Sequence, residues 1–258
     1  MLTITADFFM QWATGLMLVS LRLFGMFLSM PLFAFRAFPM RLRLMVVLLI
    51  AVSILPGLVS EAKAFGLEPP TFMAAGIELF IGVFIGFLIR LGLMAVELAA
   101  EVLSIQTGLS FATSYVRDPN IASGLMGEFL GLTAIALMFM LNIHLVLLEV
   151  VIDSFKSLPF GQWPTAWTMP ALISMVARAF QLGLLLSLPS IVVYLLFYVI
   201  QAILARTSPQ FNLFSVGFAI TVPLAFLVLI IVLPDLPEFV QRSLEAPFRL
   251  IRQGLLPN

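Results

Sequence analysis

Apolar residues dominate six stretches of the chain, which lie at about 8–33, 44–60, 71–103, 125–152, 171–204 and 211–234. A transmembrane helix needs about 20 apolar residues, because it rises about 1.5 Å per residue through a hydrocarbon core about 30 Å thick. The third and fifth stretches are much longer than this. Pro189 and Pro223 fall inside the fifth and sixth stretches, where each should kink or break a helix. The pattern predicts an all-α integral membrane protein of long, kinked helices.

The arginines give conflicting indications of membrane orientation. Three arginines within 36–43 favour a cytoplasmic position between the first two stretches, by the positive-inside rule. Six simple crossings would then place the C-terminal tail outside, although its three arginines within 242–252 favour the cytoplasm. Either one stretch does not cross, or the ordinary lipid rules do not govern this chain.

Ionisable residues recur at helical spacing inside two of the apolar stretches. The two sets are Arg90, Glu97 and Glu101 in the third stretch, and Glu128, Glu149 and Asp153 in the fourth. Charges are costly in lipid and usually face a protein interior or a water-filled cavity. We therefore expect buried charge stripes that pair between helices, such as Arg90 with a carboxylate. A direct transport role, or exposure beyond the bilayer, are the alternatives.

Glycines four residues apart indicate close helix packing. Gly82 with Gly86, and Gly127 with Gly131, both match the GxxxG pattern, which lets helix backbones approach each other. The partner helix is expected either within the chain or in another subunit.

The segment 104–124 differs from an ordinary solvated linker. It mixes small, hydroxyl and apolar residues, and the proline that follows Asp118 disfavours helix at that aspartate. Irregular backbone at membrane depth is tolerated where it is buried in protein or lines a cavity. The composition favours an irregular segment that occupies a protein cavity.

Composition narrows the class of function. Hydrophobic residues make up 62% of the chain and charged residues 10%, far from the values of soluble domains. The net charge of zero suggests no nucleic-acid partner. With no cysteine, one histidine and no phosphate-loop, HExxH or GxSxG motif, the sequence predicts no metal, no cofactor and no enzymatic activity.

Three blocks of sequence resemble the FliR family, the flagellar counterpart of the SctT components of virulence-associated secretion. The first is the run from Gln106 to Thr113 with Asp118-Pro119. The second runs from 141 to 161, and the third from 206 to 218. Length, apolar stretches and the basic tail also agree, so the resemblance covers essentially the whole chain.

The resemblance implies a fold and a function. It implies helical hairpins within one membrane-embedded domain, 1–258, with a FliP-like part at about 1–160 and a FliQ-like part at about 161–258. The implied function is the core of the flagellar type III export gate in the bacterial inner membrane, at the basal body. Its implied partners are FliP, FliQ, a FlhB-type switch protein and unfolded export substrates.

The resemblance also implies a plug that blocks the closed channel, in the loop at about 106–122. The plug and gate residues are Gln106, Thr107, Gly108, Leu109, Ser110, Phe111, Ala112, Thr113, Arg117, Asp118 and Pro119. A small-solute secondary transporter remains an alternative, since broken helices and charges are typical of such proteins. A membrane scaffold without a conducting role is the other.

Overall fold

A computed structural model describes residues 6–30, 39–58, 69–108, 125–164, 167–207 and 213–255. These ranges contain eight α-helices: α1 (Ala6–Ser29), α2 (Met40–Ile54), α3 (Pro69–Thr107), α4 (Leu125–Met140), α5 (Ile143–Ser157), α6 (Met169–Thr207), α7 (Leu213–Val232) and α8 (Leu236–Leu255). Short 3-10 turns follow α2 and α7, at Leu55–Gly57 and Leu233–Asp235. The described ranges contain no β-strand.

The helices confirm the prediction of an all-α integral membrane protein. Five helical segments are long and apolar enough to cross a bilayer, and α4 with α5 would make a sixth if counted as one span. Both α3 and α6 have 39 residues, about 58 Å of helix at 1.5 Å per residue. Each is therefore about twice as long as a hydrocarbon core is thick.

Neither helix is broken at its proline, the stronger of the two outcomes (kink or break) that the sequence suggested. Helix α6 continues through Pro189 and α7 continues through Pro223. A proline removes only one helical hydrogen bond, and the bonds before and after it keep the helix continuous.

The fourth apolar stretch contains a helix break, which its apolar pattern did not predict. Helix α4 ends at Met140 and α5 begins at Ile143, with Asn142 in the left-handed region at φ 55°. Asparagine tolerates this conformation better than most residues.

The basic tail forms a helix, which the sequence pattern did not predict. One face of α8 is fully buried and includes Leu236, Val240 and Ile251, while Arg242, Arg249 and the other charged residues of α8 are exposed.

The chain divides into two compact units that alternate along the sequence. Unit 1 contains residues 1–91, 142–173 and 246–258, and unit 2 contains residues 92–141 and 174–245. The core of unit 1 is built from α1, the first half of α3 and α5, with residues such as Leu23, Ile85 and Val151 fully buried. The resemblance-based division at about residue 160 stays a prediction.

Candidate functional site

The C-terminal end of α3 is the point from which the predicted plug loop departs. The last carbonyls of a helix lack partners within the helix. Here two of these carbonyls accept hydrogen bonds from hydroxyls of other helices. The Tyr198 hydroxyl of α6 donates to the Gln106 carbonyl, and the Thr221 hydroxyl of α7 donates to the Thr107 carbonyl at 3.1 Å. The end of α3 is thus bonded to α6 and α7, and all of these residues belong to unit 2.

Gly108 completes this helix end. Its φ of 73° lies in the left-handed region, and its N–H donates to the carbonyl of Ile105 at 3.1 Å. Glycine adopts this conformation without the steric cost that a side chain brings, so it is the usual residue just beyond a helix end.

A hydrogen bond between α6 and α7 supports the same site. The Tyr194 hydroxyl donates to the Thr221 carbonyl, and the Tyr194 side chain is 1% exposed. Its ring lies 6.2 Å from that of Tyr198. We call the group formed by Gln106, Thr107, Tyr194, Tyr198 and Thr221 the α3 anchor.

The α3 anchor corrects part of the plug prediction. Gln106 and Thr107 belong to the last turn of α3 rather than to a loop, because the helix extends four residues beyond the apolar stretch that ends at 103. Gly108 is the turn residue. The remaining predicted plug residues lie outside the described part of the chain: Leu109, Ser110, Phe111, Ala112, Thr113, Arg117, Asp118 and Pro119.

Glycines 82 and 86 lie where α3 crosses α1. A Cβ added to Gly82 would lie 2.9 Å from the backbone nitrogen of Met26 and would contact the Arg22 carbonyl oxygen. A Cβ on Gly86 would lie 2.7 Å from the Met26 carbonyl oxygen. On the α1 side, a Cβ on Gly25 would lie 2.7 Å from the Val83 nitrogen. Only glycine permits this backbone approach, so we call Gly25, Gly82 and Gly86 the glycine seam.

The second glycine pair is in different surroundings. A Cβ on Gly131 would meet no atom within 4 Å among the described residues, and Gly127 is partly exposed. A role of this pair in packing against another subunit stays a prediction.

The two predicted charge stripes are not buried within the chain, which corrects that expectation. Their exposed members are Arg90, Glu97, Glu101, Glu128 and Glu149, while Asp153 is partly exposed. Asp153 pairs with Lys156 on its own helix, at 3.0 Å. The other ion pairs of the described residues join Arg22 to Glu78 and Arg242 to Glu238, so the pairing of Arg90 with a carboxylate is not found there. Helical spacing places residues on one face but does not show which face is inside.

The charges that are buried form a different cluster, in unit 1. Arg22 of α1 and Glu78 of α3 are both 0% exposed. Arg22 donates from Nε to Glu78 Oε2 at 2.5 Å and from Nη2 to Oε1 at 3.1 Å, a bidentate geometry that is typical of strong ion pairs. Its Nη1 donates to the Ser154 hydroxyl of α5 at 2.9 Å, and its guanidinium carbon lies 4.4 Å from the ring centre of Phe155.

A backbone donor completes the cluster. The N–H of Gly161, in the segment after α5, donates to Glu78 Oε1 at 3.0 Å. Glu78 therefore receives hydrogen bonds from α1 and from this segment. We call the group of Arg22, Glu78, Ser154 and Gly161 the buried cluster.

A signal for the buried cluster was present in the sequence. Arg22 and Glu78 each interrupt an apolar stretch, and a charge inside such a stretch is expected to find a partner. Neither residue belongs to a series of charges at helical spacing, so the periodicity of charge did not indicate them.

The family model and the relatives that match this chain all indicate the same family. "Bacterial export proteins, family 1" matches residues 13–246. Flagellar biosynthetic protein FliR of Buchnera aphidicola (subsp. Acyrthosiphon pisum) is 32% identical over 180 residues, covering 69% of this chain and 70% of that protein. The FliR of Escherichia coli is 26% identical over 256 residues, covering 97% and 96%. The FliR of Caulobacter vibrioides is 31% identical over 210 residues, covering 80% and 82%. The chain therefore belongs to the bacterial export proteins of family 1, the family of FliR.

Proposed function

We propose that this chain is a core subunit of the flagellar protein export gate in the bacterial inner membrane. In this proposal it forms a protein-conducting channel with FliP and FliQ, and the segment after α3 plugs the closed channel. Unfolded export substrates pass through the open channel, and a FlhB-type switch protein acts at the same apparatus. Family membership and the membrane-spanning helices support this assignment, and neither the family description nor the relatives' names denote an enzyme.

The α3 anchor is the observation that most supports a plug. A plug has to leave the channel when the gate opens, while its ends stay fixed so that it can return. At the end of α3, hydroxyls of Tyr198 and Thr221 hold the backbone from two other helices. Gly108 then ends the helix in a left-handed conformation. The movable segment would thus begin at a fixed point.

The exposed surface of α6 supports assembly with partner helices. Large apolar side chains are exposed from Ile173 (63%) to Leu204 (54%) along this helix. This distance of 31 residues corresponds to about 46 Å at 1.5 Å per residue. The hydrocarbon core covers only about 30 Å, so lipid alone would leave part of this face in water. Helices of partner subunits would cover the rest.

A single cysteine in the proposed plug tests the gate directly. The chain has no native cysteine, so Ser110→Cys introduces one thiol without background. In the assembled gate, we expect the thiol to react slowly with a water-soluble maleimide when the gate is closed and faster when it is open. Gln241→Cys, on the exposed polar face of α8, serves as the control and should react at one rate in both states.

A deletion gives a second, independent measurement. Removing Gly108–Thr113 should allow the gate to assemble but make cells permeable to ions or small solutes, because the channel loses its seal. Fast labelling of Ser110→Cys in the closed gate, together with no leak from the deletion, would reduce the segment to an ordinary linker.

A further inference from the structure

We propose that the Arg22–Glu78 ion pair is a positioning device. In this proposal Glu78 holds α1, α3, α5 and the connector 158–164 in one arrangement that protein export requires, while the pair adds little to net folding stability. Its effect on export rests on the proposed function, whereas its effect on the connector does not.

Several separate segments of the chain meet at Glu78. Its carboxylate receives the Arg22 guanidinium from α1 and the Gly161 N–H from the connector. Arg22 in turn reaches Ser154 on α5. Four segments of the chain are thus linked through two side chains that are both fully buried.

The energetics of a buried ion pair also favour a positioning role. Moving two charges out of water costs about as much as their attraction returns, so a buried pair often adds little stability compared with apolar residues of the same size. Its hydrogen bonds are directional, however, and apolar contacts are not. A buried pair therefore contributes mainly to which arrangement is adopted.

Helices α1 and α3 approach each other closely beside the ion pair. Gly82 lies one turn after Glu78 on α3 and touches the backbone of Arg22. A seam of glycines and apolar side chains lets two helices approach closely. The Ser29 hydroxyl of α1 donates across it to the Val83 carbonyl of α3 at 2.8 Å. The ion pair adds two directional bonds one turn from Gly82, and together these bonds fix the position of α1 along α3.

The connector is held at the same place by aromatic contacts. Its Trp163 ring lies 4.8 Å from that of Phe80 on α3, and Trp163 is 50% exposed. Gly161, at φ 76°, makes the turn that brings its N–H to Glu78. Glu78 and Phe80 thus fix this end of the connector on the first half of α3.

The test removes the pair without leaving an unpaired charge. In the full chain assembled with its export partners, Arg22→Met combined with Glu78→Leu should keep near-normal recovery and melting temperature. Hydrogen exchange measured by mass spectrometry should show the Gly161 amide exchanging about tenfold faster or more, the change expected when a hydrogen bond to a charged group is lost. Motility and export should fall. Arg22→Lys, which keeps a cationic donor beside Glu78, should retain slow exchange.

Two further variants make each outcome decisive. Arg242→Met with Glu238→Leu removes an exposed ion pair and should change neither exchange nor export. Arg22→Leu with Glu78→Met repeats the apolar replacement with a different shape. Slow Gly161 exchange or normal export in a folded apolar double variant would overturn the proposal. Loss of folding in both apolar doubles would also overturn it, since the pair would then act through net stability.

Discussion

At the scale of single residues, the glycines of this chain differ in what surrounds them, although their sequence patterns are alike. Gly82 is the first glycine of one GxxxG pair and Gly131 is the second glycine of the other, and each lies within an apolar helix. A Cβ on Gly82 would meet the backbone of α1, whereas one on Gly131 would meet nothing within 4 Å in the described chain. The pattern alone does not distinguish a packed glycine from an open one.

Alanine substitution at these two positions should therefore have opposite effects. Gly131→Ala should stabilise the chain by about 0.5–1 kcal/mol, because alanine is the better helix former. Gly82→Ala should destabilise it by about 1–3 kcal/mol, because the methyl group forces α1 and α3 apart. Thermal unfolding of the chain co-purified with FliP and FliQ measures both. Equal effects at the two positions would contradict the role of the glycine seam.

The sequence predicted the apolar helices well and their ends less well. A run such as 71–103 is apolar enough to identify a membrane helix from composition alone. Its extension to Thr107 depends on hydroxyls supplied by Tyr198 and Thr221, more than ninety residues later in the chain. Such partners become evident only when the fold brings them together.

Some features of the candidate site follow from the sequence, and others do not. Gly108 adopts a left-handed conformation, which glycine permits through its own chemistry and which needs no distant partner. The pairing of Arg22 with Glu78 joins residues 56 positions apart, and helical periodicity within one segment cannot reveal it. Burial of Glu97 or Glu149 was inferred from cost in lipid, but the described chain leaves both exposed.

At the scale of helices and their ends, the α3 anchor should control how firmly the following segment is held. Tyr198→Phe and Thr221→Val each remove one hydroxyl that caps α3 while keeping the shape of the side chain nearly unchanged. We expect each change to cost about 0.5–1.5 kcal/mol, the usual net value of one hydrogen bond.

The combined Tyr198→Phe and Thr221→Val variant should raise the leak of the closed gate, measured as ion permeability of cells. Tyr194→Phe is the matched control for a tyrosine hydroxyl on the same helix. It removes the bond from α6 to α7 but neither of the bonds that cap α3, so its leak should be smaller. An unaltered leak in the combined variant would show that the α3 anchor does not restrain the segment.

At the scale of the whole molecule, the exposed apolar face of α6 should make the chain dependent on its partners. Leu195 and Leu196 are 62% and 60% exposed near the middle of this face. Contiguous apolar surface of this kind marks an interaction site when it is larger than lipid can cover. The chain expressed alone should therefore aggregate after extraction in mild detergent, and co-expression with FliP and FliQ should restore a single soluble species.

A charge introduced on the exposed apolar face of α6 tests whether partner subunits cover that face. Leu195→Arg should abolish co-purification with FliP and FliQ, because an arginine there would lose its hydration against apolar partner surface. Gln241→Arg, on the exposed polar face of α8, adds the same charge and should leave co-purification unchanged. In both variants the Gly161 amide should keep its slow exchange, since the buried cluster belongs to unit 1 and Leu195 to unit 2. A chain that is monodisperse alone, and that co-purifies normally as Leu195→Arg, would favour a self-sufficient transporter or scaffold over a gate subunit.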